Sequence, residues 1–193
     1  MQRSYVRIAK LLFPNATIVI DKFHVTRYCT WALENVRKRV QKGLLPEDRK
    51  YFKRSRTLLI KHMDKLDDHD REALERMLLV HVDLRNAYLL KEKFYEFMAS
   101  KDREEAKTRL KQFMLYERVV DLPEFEPLVK VLLNWTRYIL NSFECKYTNG
   151  FTEGCNNKIK VLKRIAFGYR SFENLRQRIL LTQNAIFPTP RGA

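Results

Sequence analysis

The chain has 193 residues, 45% hydrophobic and 32% charged, a balance that can bury a core and excludes an intrinsically disordered polymer. Lysine and arginine number 38 against 23 acids, so the formal net charge is +15 and a polyanion is the first partner to expect. No apolar run approaches the roughly 20 residues of a bilayer span, and Cys29, Cys145 and Cys155 lack the spacing of a disulfide framework or zinc knuckle, so a cytoplasmic protein with reduced thiols is expected.

In chain order, MQRSYVRIAKLLF is basic and amphipathic, with Tyr5, Ile8, Ala9 and Leu12 at helical spacing and Pro14-Asn15 as a stop. A transit peptide is disfavoured, because this helix runs straight into TIVI, residues 17–20, an unbroken β-branched run that predicts a buried strand. From Val25 to Leu140 apolar residues return every three or four positions, the pattern of a helical bundle. Val25, Tyr28, Cys29, Ala32, Val36 and Val40 form one stripe, closed by Gly43, and a second helix follows Pro46. Asp70 to Met98 reads as one long helix or a kinked pair. Asp102 with Glu105 resembles a capping box, and Leu128, Leu132, Trp135, Ile139 and Phe143 stripe a further helix.

A polar, glycine-containing loop after Phe143 leads to a helix predicted over Glu153 to Ile165. Cys155, Ile159, Leu162 and Ala166 share one face of it, and Glu153, Asn157, Lys160 and Arg164 another. Gly168 ends this helix, Ser171 is placed to cap the next, and Phe172, Leu175 and Ile179 give that last helix its stripe. The TPRGA tail is expected to fray.

Between Asn156 and Leu180 stand seven Lys or Arg and one acid, Glu173, interleaved with Phe167, Tyr169 and Phe172. Such a patch fits salt-sensitive, sequence-independent phosphate binding, and the plainer alternative is a solvated helix face. A second basic cluster runs from Arg37 to Arg56, with the same two readings. Glu153 either complements a helix dipole or, flanked by amides and cations, holds a divalent metal for phosphoryl transfer. Asp21 and His24 follow the TIVI run and are either a cap and a packed histidine or an orienting pair. Asp67, Asp68, His69 and Asp70 look like ligands, but their place at a helix start favours capping. His62 and His81 have no partners at ligand spacing, and the chain contains no G-x-S-x-G or G-K-[ST].

Two blocks, FPNATIVIDKFHV and YTNGFTEGCNNKIKVLKRIAFGYRSFENLRQRIL, together resemble the C-terminal half of DDE-type bacterial insertion-sequence transposases of the ISL branch. The likeness covers nearly the whole chain, and its second block is the specific one. It implies a mainly α chain: a remnant of an RNase H-like α/β core, with one strand and flanking helices, carrying a large all-helical insertion. The implied boundaries are residues 1–24 for the core helix and last core strand, 25–142 for the insertion, and 143–193 for the closing core helices.

In such transposases three acids bind two divalent metals, Mg²⁺ or Mn²⁺, that cut and rejoin DNA. The resemblance makes Glu153 the last of these acids and so a catalytic, metal-holding residue. It makes Asp21 and His24 similar to the D-x-x-H motif after the second aspartate, with Asn157 as a further supporting residue. Lys158, Lys160, Lys163, Arg164 and Arg170 become DNA contacts. The implied partners are terminal inverted repeats and target DNA, with self-association and without a membrane. The first two aspartates and the N-terminal recognition regions have no counterpart here, so a truncated chain, incompetent alone, is expected. The alternative is a non-enzymatic helical DNA-binding module.

Overall fold

The computed structural model describes residues 2–54, 56–145 and 150–184, with the side chains of Tyr51, Lys53, Arg54, Gln183 and Asn184 outside the description. The TPRGA tail and residues 147–149 of the second block therefore lie outside the described residues. Two compact units divide the chain, Met1–Lys146 and Tyr147–Ala193.

In the first unit, α1 spans Arg3–Leu12 and buries no residue fully. Val6 and Ala9 are half-buried, while Tyr5, Ile8, Leu11 and Leu12 are exposed, so of the expected Tyr5-Ile8-Ala9-Leu12 stripe only Ala9 packs inward. The strand expected over residues 17–20 is absent, as is any strand among the described residues. These residues form an irregular connector tied to helices: the Ile20 N–H donates to the Tyr138 carbonyl at 3.1 Å and Asn141 Nδ2 to the Ile18 carbonyl at 2.8 Å. A strand needs a neighbouring strand to take its alternate backbone groups, and here helix-borne groups take them instead.

Asp21 starts α2, Lys22–Lys42, its carboxylate accepting from the Phe23 N–H at 2.8 Å. The expected stripe is buried at Val25, Cys29, Ala32, Val36 and Val40, with Tyr28 at its edge. Gly43 terminates the helix at φ −83°, an ordinary conformation, so its stop is not a left-handed glycine cap. Then come α3 (Pro46–Arg54), α4 (Arg56–Ile60), a 3₁₀ turn at Met63–Lys65, α5 (Asp68–Val80) and α6 (Val82–Met98). The Asp70–Met98 region is thus a broken pair. His81 takes an extended conformation, φ −151° and ψ 129°, and its Nδ1 accepts from the Asp83 N–H at 3.1 Å, capping α6.

Asp102 caps α7, Arg103–Val120, by accepting from the Glu104 and Glu105 N–H groups at 2.9 Å. The returning half of the capping box is shifted by one residue, because Glu105 accepts from the Lys101 N–H at 2.7 Å. Asp121, at φ 49°, ends that helix; a 3₁₀ turn at Pro123–Phe125, α8 (Glu126–Leu140) and a last turn at Asn141–Phe143 complete the unit.

Helix α6 sits at the centre, packed on α2, α5 and α7, while α2 also meets α8. Phe94 contacts Phe97 and Phe113 edge-on at centroid separations of 6.0 and 5.8 Å, all three fully buried, and each such ring contributes about 1.5–3 kcal/mol.

Two cations lie inside this core. Lys91 is fully buried: its ammonium donates to the Lys61 carbonyl at 2.6 Å, pairs with Glu92 and stands 3.8 Å from the Tyr88 ring centroid. Burial holds its pKa below the usual lysine value, against the opposing pull of Glu92. Arg37, 6% exposed, makes two bonds to Glu34 at 2.7 and 2.8 Å and donates to the Phe52 carbonyl at 3.2 Å.

The second unit contains α9 (Gly150–Ile165) and α10 (Phe172–Asn184). Phe167 at φ 51° and Gly168 at φ 110° reverse the chain between them, and at φ 110° only glycine escapes strain. Lys158 Nζ ties α9 to α10 by donating to the Thr182 carbonyl at 2.8 Å. Among the described residues no helix is long and apolar enough to cross a membrane.

Candidate functional site

Helix α9 separates its side chains as its spacing requires. Leu162 is buried and Cys155, Ile159 and Ala166 are half-buried, whereas Asn157, Lys160, Lys163 and Arg164 are exposed. Glu153 lies in the first turn, half-buried, with Lys163 and Arg164 in the last; both placements complement the helix dipole. Gly154 has open space where a side chain would stand, so nothing steric demands a glycine beside Glu153. The apolar stripe of α10 is narrower than expected, since Leu175 and Ile179 are half-buried but Phe172 is 77% exposed.

Of the basic residues singled out in this unit, Lys160, Lys163, Arg164 and Arg170 offer their charge to solvent. Lys158 is committed to Thr182, and Arg176, outside the expected set, pairs with Glu173 at 3.0 Å. The second basic cluster is neutralised in part. Arg37 is buried on Glu34, Arg39 bridges Asp83 at 2.7 Å and Glu124 at 2.6 Å, and Arg56 reaches Glu34 at 3.6 Å. The hydrogen bond from Arg37 is the main cause holding the Glu34 carboxyl below the ordinary carboxylate range.

Asp21 and His24 belong to the first unit. The Asp21 carboxylate caps α2 and its carbonyl accepts from the His24 N–H at 3.1 Å, while the His24 ring meets Phe23 edge-on at 5.8 Å. Asp67, His69 and Asp70 bring ligand atoms within 4.8 Å of one another. Their chemistry is already assigned, however: Asp67 caps α5 through the Asp70 N–H at 2.7 Å, and Asp70 pairs with Lys61 at 2.7 Å.

The donor set near Glu153 does not fit a two-metal centre by itself. Within residues 150–184 the only carboxylates are Glu153 and Glu173, and Glu173 is paired with Arg176. Two divalent ions held about 4 Å apart require several oxygen ligands, so no chemical step can be derived through a metal from this unit alone. Its cationic face can do something simpler, which is to hold a row of phosphates.

A further feature escaped the sequence reading. On α2, the Arg27 guanidinium lies 4.6 Å from the Trp31 ring centroid, and Tyr28 meets Trp31 edge-on at 5.6 Å. The Arg and Trp four residues apart were a legible signal, but the Tyr28 register drew attention to the buried stripe instead.

A family model described as a transposase of the ISL3 type matches residues 1–179. The transposase for insertion sequence element IS1001 of Bordetella parapertussis is 28% identical over 164 residues, covering 83% of this chain and 40% of that protein. The transposase for insertion sequence element IS1557 of Mycobacterium tuberculosis is 27% identical over 202 aligned positions, covering 93% of this chain and 45% of that protein. A Lactococcus lactis protein named ATP-dependent protease is 30% identical over 146 residues, covering 72% of this chain and 41% of its own length. The chain thus spans less than half the length of these relatives, and no solved structure matches it.

Proposed function

The chain belongs to the ISL3-type transposase family, and on that premise we propose that it is the DNA-holding, C-terminal part of a DDE-type transposase catalytic domain. The observation that carries the reading is the division of α9, which buries Leu162 and exposes Lys160, Lys163 and Arg164 about two to three turns beyond a first-turn carboxylate, Glu153. Lys160, Lys163, Arg164 and Arg170 hold the DNA backbone of terminal inverted repeats and target DNA. Lys158 contributes by fixing α9 on α10.

Glu153 is one carboxylate of a site for Mg²⁺ or Mn²⁺ whose other acids lie outside these 193 residues. Asn157, one turn on from Glu153, supports that site, and Asp21 and His24 are supporting residues of the same family's catalytic domain. Under this reading α1 and the 16–21 connector belong to an RNase H-like core completed by further chain, and copies associate on DNA. The 193-residue polypeptide alone does not cut DNA, because one carboxylate cannot hold two ions.

Purified chain, supplied with Mg²⁺ or Mn²⁺ and duplex DNA ending in the element's inverted repeats, should bind without strand cleavage. Cleavage that disappears in Glu153→Gln would refute the incompleteness of the site. The scarcity of carboxylates in the second unit also supports a second reading, a DNA-binding module without catalysis. In that case affinity is indifferent both to divalent metal and to Glu153→Gln, and adding the missing chain segments restores no cleavage.

A further inference from the structure

Helix α2 carries a second surface to which, His24 apart, the transposase reading gives no role. At about 100° per residue, His24, Arg27, Tyr28, Trp31, Asn35, Lys38 and Lys42 fall along one side, away from the buried Val25-Cys29-Ala32-Val36 stripe. Its first half is aromatic: His24, Arg27, Tyr28 and Trp31 line a concavity of about 310 Å³, and Trp31 is 49% exposed. Its second half is cationic, with Lys38 and Lys42 exposed about two and three turns further on. The helix's one acid, Glu34, is bonded to Arg37 at 2.7 Å and lies farther from Arg56, at 3.6 Å, and Lys38, at 3.9 Å. No carboxylate among the described residues pairs with Arg27.

These properties select a ligand. An indole with a guanidinium over its ring and about half of its surface still open matches a planar, electron-rich ring with phosphate attached. An apolar protein segment laid here would bury Arg27 and Lys42 without counter-charge, which is costly. Duplex DNA keeps its bases stacked inside and has no free face for Trp31. We propose that this side of α2 binds single-stranded DNA, with one unpaired base stacked in the concavity against Trp31 and Arg27 and the adjoining backbone running toward Lys38 and Lys42. The proposal rests on the reading of DNA as partner, and adds that a strand must be locally unpaired to engage α2.

The test uses the whole chain, a short single-stranded oligonucleotide carrying 2-aminopurine, and the same sequence as a blunt duplex. The protein has two tryptophans, and Trp135 is 9% exposed, so quenching on binding reports mainly Trp31. Single-stranded DNA should quench that emission. Trp31→Ala should weaken single-strand binding about 5- to 160-fold, the range of one base–aromatic stack, and Trp31→Phe should restore most of it. Lys38→Ala with Lys42→Ala should lower the salt dependence of single-strand binding, and duplex affinity should be the same in all these variants. Single-strand affinity unchanged in Trp31→Ala, with duplex binding intact, overturns this inference and leaves the proposed function standing. Loss of both kinds of binding in the unmodified chain overturns both.

Discussion

The double substitution Lys160→Ala/Arg164→Ala tests the DNA-holding face most directly. Both residues are exposed on α9, opposite buried Leu162, so their removal should leave the helix folded. Four of the proposed contacts, Lys160, Lys163, Arg164 and Arg170, offer their charge to solvent, Lys158 being committed to Thr182. If each neutralises one phosphate, log affinity for duplex DNA falls against log salt with a slope of about −3.6. Between about 50 and 200 mM salt the parent then loses roughly 150-fold in affinity, and the double variant, with a slope of about −1.8, roughly 12-fold. Fluorescence anisotropy of a labelled duplex over a salt series reads the slope without any knowledge of the recognised sequence. A charge-preserving pair, Lys160→Arg/Arg164→Lys, should keep the parent slope. An unchanged slope in the alanine variant would show that the phosphates lie elsewhere and would refute the assignment of this face.

Three further expectations concern the scaffold. Lys91→Ala should cost about 3–5 kcal/mol in denaturant unfolding, because it leaves Glu92 and the Lys61 carbonyl without their buried partner, and Lys91→Met should cost less by keeping the stem packed. Glu34→Gln should lower stability at neutral pH by about 1.5–3 kcal/mol, the value of charge-assisted bonds such as those from Arg37. Since the folded carboxyl titrates below its ordinary 4.5, that stabilisation is fully present above 4.5 and disappears as pH falls through the lower folded value, so parent and variant should converge in acid. His81→Ala should lose the cap of α6, about 0.5–2 kcal/mol by thermal or chemical unfolding, while His81→Asp, which still offers an acceptor to the Asp83 N–H, should lose little.

Where a helix is long and has one dominant apolar face, its residues can be read directly. The Val25-to-Val40 stripe of α2 and the Asp102 cap of α7 are of this kind, since both depend on neighbours within a turn or two. The break at His81 has neither proline nor glycine to mark it and arises from a histidine acting as a cap. In α1 two stripes compete, and packing of Val6 and Ala9 decides between them. Residues 17–20 have the composition of a strand, but pairing is a property of two segments, and the segment that meets them is a helix end. Arg37 and Lys91 look like surface cations in one dimension, and their burial is intelligible only once Glu34, Glu92 and the receiving carbonyls are in place. Glu153 and its amide-and-lysine block were conspicuous because their composition fits no packing need. The Arg27–Trp31 concavity was hidden by a register that served the core as well.

The bonds that join Ile18 and Ile20 to Asn141 and Tyr138 bring together residues about 120 positions apart. The polypeptide therefore enters and leaves the bundle at one doorway. Seen from outside, more than a hundred residues occupy the footprint of a hairpin bend, so their number can change without moving the segments that lead into and out of them.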